Sequence, residues 1–80
     1  MTVAKKQSSL TELQIIGLNI RKIRETQNIS RLQLAYEIDT TEKQLSRIEY
    51  GEINSGVMSY IKIARALNVP IDELFKKVKF

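Results

Sequence analysis

The side chains of this chain that could do chemistry are lysines, arginines, carboxylates and hydroxyls; there is no His and no Cys. Imidazole and thiolate nucleophiles, disulfides and the commonest zinc sites therefore lack their components. The carboxylates do not cluster, and no glycine-rich run is present to cradle a phosphate. No enzyme activity, metal, cofactor or small-molecule substrate is expected. What the spacing does offer is capping chemistry. Ser9 with Glu12, Ser30 with Gln33, and Thr41 with Gln44 each set a hydroxyl three residues ahead of Glu or Gln. In that pattern the hydroxyl accepts a backbone N–H at a helix start and the longer side chain returns the bond. Two of the three fall within residues 30–51, SRLQLAYEIDTTEKQLSRIEYG, the stretch around which the rest is arranged.

Each cap needs a helix behind it, and the apolar spacing supplies one. Leu13, Ile16, Ile20 and Ile23 recur at three or four residues, predicting a helix from the Ser9 cap to about Gln27. Gly17 lies on that stripe, where it either admits a close helix or is a tolerated defect of about 1 kcal/mol. Ile15 and Leu18 lie to its side and either widen the core face or meet a partner. Asn28 suits a left-handed stop, and Ile29 suits a hydrophobic staple before Ser30. Leu34, Ala35 and Ile38 give a second helix over residues 31–38, followed by Asp39 in a turn with positive φ. Leu45 and Ile48 give a third over residues 42–50, ended by Gly51. After a loop, Asn54 or Ser55 is expected to cap a fourth helix over residues 56–67, with Val57, Tyr60, Ile61, Ala64 and Leu67 inward. Asn68 ends it. Pro70 opens a short last helix to Phe75, with Val69, Ile71, Leu74 and Phe75 apolar. No segment alternates with period two, so the expected fold class is all-α, a compact bundle of about five short helices.

Eighty residues make one small domain, with 9–75 ordered, 1–8 expected to be a mobile tail and 76–80 a short basic tail. A composition of 42% hydrophobic and 28% charged residues is that of a globular chain. No apolar run could span a membrane, residues 1–9 lack the apolar block of a signal peptide, and a cytoplasmic location is expected. The net charge of +4 is less informative than it looks. Lys5, Lys6, Lys76, Lys77 and Lys79 sit in the tails, and residues 7–75 carry eight basic against nine acidic residues. The tails either solubilise a nearly neutral domain or attract polyanions non-specifically.

Taken together, GLNIRKIRE, SRLQLAYEI, TEKQLSRIEYG and IKIARALNVPIDELF, in this order and separation, resemble the helix-turn-helix domain of lambdoid phage repressors and Cro proteins, the Xre-type regulators. The resemblance spans roughly residues 17–75 and implies a lambda-repressor-like fold whose third helix enters the major groove of double-stranded DNA. By position it assigns base reading to Glu42, Lys43 and Arg47, with Gln44 divided between a base and its own capping box, the box preferred. It assigns phosphate contact to Arg31 and, through their hydroxyls, to Ser30, Thr41 and Tyr50. Arg24 and Glu49 match a structural pair that fixes the first helix against the third.

The side-chain chemistry is compatible with these roles. The Arg47 fork suits guanine O6 and N7, and Lys43 donates to the same acceptors. Glu42 either accepts from a cytosine amino group or only complements the helix dipole. Without the resemblance, Lys43 and Arg47 would read as a solvated helix face. Three departures stand out: Asp39 for the usual turn glycine, Glu52 and Ile53 in a loop that often carries basic phosphate contacts, and Pro70 for a hydroxyl cap. Residues 30–51 also hold three basic and four acidic side chains, a poor footprint for a polyanion.

The function implied is sequence-specific regulation of transcription by a small repressor or controller protein of bacterial or phage type. A single such motif touches few bases, so a homodimer is expected. Ile53, Val57, Met58, Phe75 and Phe80 are the candidate interface; for the first three, an ordinary loop and core edge explains the residues equally. The alternative function is a protein-interaction or antitoxin-like module that keeps the fold without specific DNA reading.

Overall fold

The structure is a computed structural model and describes residues 10–79. Four helices and a closing 3-10 turn follow one another: α1 Glu12–Thr26, α2 Arg31–Glu37, α3 Glu42–Glu49, α4 Val57–Leu67, and the 3-10 turn Ile71–Phe75. Among the described residues there is no strand. The all-α expectation holds, with the last helix tightened to 3-10 geometry. The segment expected to be a mobile tail, residues 1–8, lies outside the described residues, as do Ser9 and Phe80.

The four α-helices stop in the same way. Each is followed by a residue with positive φ: Asn28, Asp39, Gly51 and Asn68, at 60°, 61°, 70° and 59°. The next N–H reaches back five residues to a carbonyl in the last turn. These bonds run from Ile29 to Arg24, Thr40 to Ala35, Glu52 to Arg47 and Val69 to Ala64, at 2.9–3.1 Å. This left-handed stop is open to few residue types; glycine, Asn and Asp enter it at least cost. Asp39 does here what glycine usually does.

The starts are less uniform. Ser30 accepts the Gln33 N–H and Thr41 accepts the Gln44 N–H, both at 3.0 Å. Among the described residues, only α1 closes a full capping box, and it uses Thr11 with Gln14. The expected Ser9–Glu12 box is displaced, because Thr11 offers the same hydroxyl two residues later and Glu12 becomes the first helical residue. At α4 neither Asn54 nor Ser55 is the cap. Gly56 occupies that place with φ 88° and no side-chain bond, while Asn54 turns the loop by accepting the Gly56 N–H at 3.2 Å.

One core joins all five elements. Ile16 and Ile20 meet Leu34, Ala35 and Ile38 of α2, Leu45 and Ile48 of α3, four residues of α4 and Leu74. The α4 face is Tyr60, Ile63, Ala64 and Leu67, a clean i, i+3, i+4, i+7 stripe. Ile63 replaces the expected Val57 and Ile61: Val57 is exposed and Ile61 only half-buried. The first turn of α4 has apolar residues on too many sides for periodicity to choose the inner one. Leu13 and Ile23 are likewise half-buried rather than central. Phe75 packs edge-on to Tyr60, with ring centroids 6.0 Å apart. Asn19 donates to the Leu74 and Lys76 carbonyls at 2.9 Å each, and Gln27 to the Leu67 carbonyl at 2.7 Å. Side-chain amides of α1 and of the residue that caps it thus hold the ends of the last two elements.

Gly17 settles the closest approach. A Cβ there would stand 2.5 Å from the Ile48 carbonyl oxygen and 2.6 Å from the Glu49 carbonyl carbon, with the Glu49 oxygen nearer still. Only a bare Cα lets α1 cross the end of α3 at this distance. A side chain at Gly51 would likewise collide with the Gln14 backbone at 2.6 Å.

Candidate nucleic-acid interface

α3 has a buried side, Leu45, Ile48 and Glu49, and a side turned to solvent. Glu42, Lys43 and Arg47 are exposed on it, and none forms an ion pair with the described residues. Lys43 and Arg47, four residues apart, lie above one another on one face. Ser46, half-buried between Glu42 and Lys43 in helical projection, shares this face; its small hydroxyl carries no charge signal by which the sequence would mark it. Gln44 stands apart. Its N–H is capped by Thr41, but the return bond of the expected capping box is missing among the described residues. Its side chain instead lines a hollow with Ile48, Ile53, Asn54, Ser55 and Lys62.

The far end of α3 is locked. Arg24 Nε and Nη2 donate to the two oxygens of Glu49 at 2.7 and 3.1 Å, and Arg24 Nη1 donates to the Ile29 carbonyl at 2.9 Å. The Glu49 side chain is 0% exposed, and Arg31 Nε adds a third donor to it at 3.2 Å. One carboxylate therefore ties the last turn of α1, the start of α2 and the last turn of α3. Such a fork is geometrically specific, and breaking it would strand buried charge. Burial of the Arg31 guanidinium works to lower its pKa, but the hydrogen bond and charge of Glu49, helped by Tyr50, outweigh it and hold the group above its ordinary range.

The residues expected to touch phosphate are not equivalent. Ser30 and Thr41 are exposed caps whose oxygens accept from the backbone, leaving each O–H free to donate. Arg31 is partly tied down through Glu49. Tyr50 is 47% exposed, with the guanidinium carbons of Arg21 and Arg31 over its ring at 5.1 and 5.7 Å. Of the candidate interface between copies, Val57 and Met58 are exposed, whereas Ile53 and Phe75 are partly buried against the core.

The charge of residues 30–51 is unevenly distributed in three dimensions. Glu49 is buried under two guanidiniums. Glu37 and Asp39 line a hollow with Lys62 and Arg65 of α4. Glu42 alone among the four carboxylates lies on the solvent side of α3. No group of three or more His, Cys, Asp or Glu among the described residues could hold a metal ion. No helix there is long and apolar enough to cross a membrane.

A helix-turn-helix family model matches residues 20–74. Among solved structures, the chain is similar to the restriction-modification controller protein C.AhdI from Aeromonas hydrophila, at 27% identity and TM-score 0.76 over 79% of this chain and 96% of that one. It shares its fold with the clp gene regulator ClgR from C. glutamicum, at 17% identity and TM-score 0.79 over 82% and 86%. A hypothetical transcription factor, NHTF from Neisseria, matches at 23% identity and TM-score 0.76 over 80% and 74%. No curated protein matches the chain.

Proposed function

Because the chain belongs to the helix-turn-helix family of DNA-binding regulators, we propose that it is a sequence-specific transcriptional regulator, a small repressor or controller protein, that lays α3 in the major groove of double-stranded DNA. The observation that carries this reading is the division of α3. Lys43 and Arg47 stand free on its outer face, while Glu49 fixes its far end to α1 and α2. A reader needs donors that are accessible and a helix that cannot swing. Lys43 and Arg47 supply donors to guanine; Glu42 sets the third contact or the helix dipole. Gln44, turned into the hollow shared with α4, is left out of the reading set. Ser30 and Thr41 at the two helix starts supply hydroxyls to phosphate.

The reading extends to a homodimer on a two-fold site, with half-sites about 34–36 Å apart. The exposed Val57 and Met58 support it as the apolar patch at the start of α4. The similarity to C.AhdI supports a controller role of the same kind. An interaction module that keeps the fold is favoured by Leu32 and by Tyr36, 85% exposed on α2, which no packing explains. Selection from random duplex DNA, followed by a salt titration of the winning site, separates the two. Enrichment of a palindromic site supports the regulator, and failure to enrich any duplex at low salt leaves the interaction module. Sedimentation at micromolar concentration is expected to show a dimer, and a Val57→Asp change to dissociate it.

A further inference from the structure

We propose that Arg21, Tyr50 and Arg31 form a phosphodiester clamp, in which the Tyr50 ring is the platform that orients both guanidiniums toward one phosphate beside the recognition helix. The inference rests on the DNA-binding reading and adds to it Arg21 as a contact and Tyr50 as a positioning residue acting through its ring. Guanidinium carbons at 5.1 and 5.7 Å from one centroid are both within cation–π range. Bringing two like charges to one ring is unfavourable by itself and becomes favourable when an anion lies between them.

The donors are available. Arg31 commits its Nε to Glu49, and neither of its terminal nitrogens forms an ion pair with the described residues. Arg21 makes no ion pair with the described residues. A guanidinium stacked by its flat face on a ring keeps its N–H edges free for phosphate oxygens, and the clamp uses both arginines in that way. The nearby carboxylate does not repel the anion into solvent, because Glu49 is fully buried and both its oxygens already accept from arginine. Arg21, Arg24 and Arg31 thus outnumber the one buried carboxylate; Glu25, 3.9 Å from Arg24, is largely exposed. A shallow hollow beside the ring, lined by Leu10, Gln14, Leu18, Arg21, Glu49 and Tyr50, gives the site an open face, with the Glu49 carboxylate already accepting from Arg24 and Arg31. Its place at the last turn of α3, away from Lys43, suits a contact that sets register and not one that reads sequence.

The test uses the full chain and a random-sequence duplex of about three helical turns as probe, with affinity measured across a salt series. Each phosphate contact contributes about 0.9 to the log–log slope. Arg21→Ala is expected to lower the slope by about that amount with an unchanged melting temperature. Tyr50→Phe keeps the ring and is expected to keep the slope. Tyr50→Leu is expected to lower it at least as much as Arg21→Ala, and to do less when Arg21 is already gone. An unchanged slope in Arg21→Ala overturns the clamp, and so does a Tyr50→Phe slope as low as that of Tyr50→Leu, which would move the contact to the hydroxyl. If Tyr50→Leu unfolds, the other two variants still decide. A chain that binds no duplex at low salt overturns instead the reading on which the clamp rests.

Discussion

The two ends of α3 are built on opposite principles. At its last turn, Glu49 is buried, three arginine N–H groups converge on it, and Gly17 and Gly51 bring α1 against the backbone. At its start and outer face, Glu42, Lys43 and Arg47 are exposed and unpaired among the described residues. The first arrangement fixes where the helix is, and the second leaves side chains free to be ordered by what they meet. Ordering long side chains costs conformational entropy at the moment of binding, which a rigid helix beneath them keeps to the side chains alone.

The contrast predicts that damage at the locked end appears as lost stability, and damage on the open face as lost recognition. The largest effect is expected from Glu49→Ala, which leaves Arg24 buried beside Arg31 with only the exposed Glu25, 3.9 Å away, as counter-charge. Thermal or urea unfolding should show a loss of about 3–5 kcal/mol. Gly17→Ala should come next, at about 1–3 kcal/mol by the same measurement, because the added methyl meets backbone carbonyls that cannot rotate away. The sign is the informative part. In an unobstructed helix interior the same change stabilises by about 1 kcal/mol, so a stabilised variant would contradict the close crossing. The smallest effect on the fold belongs to Arg47→Ala, with stability within about 0.5 kcal/mol. Binding to the selected site should weaken by about 1–3 kcal/mol, with preference relaxed at a single base position. A uniform loss over all sequences would make Arg47 a phosphate contact and would sharpen the boundary between the two ends.

Much of this was legible along the chain because the signals are local. Asn28, Asp39, Gly51 and Asn68 mark stops since few other residues tolerate positive φ, and a stop needs no knowledge of what packs nearby. Ser30 and Thr41 mark starts because a hydroxyl reaches an N–H three residues on. The same locality explains the misses. Ser9 and Thr11 both offered a hydroxyl with a suitable residue three later, and spacing does not rank two adjacent boxes. Gln44 could close its box on paper, but in the structure its side chain lines the hollow shared with α4. Periodicity points to Val57 and not to Ile63 because the start of α4 is apolar on several sides.

By itself the sequence determined the order of the helical segments, where the four α-helices stop, the family pattern and the residue types on the outer face of α3. Those follow from backbone conformational cost and from periodicity, which act within a few residues. Only the tertiary structure decided which face of α4 turns inward, that Arg31 shares Glu49 with Arg24, and that Arg21 and Arg31 meet over Tyr50. These depend on side chains from different helices competing for the same space and the same charge, and such competition is settled only when the helices pack. The poor charge balance of residues 30–51 is the clearest case. Counted along the chain it argues against a polyanion; folded, burial and pairing account for Glu49, Glu37 and Asp39 sit beside cations of α4, and the arginines of α1 and α2 gather at one end of the reading helix.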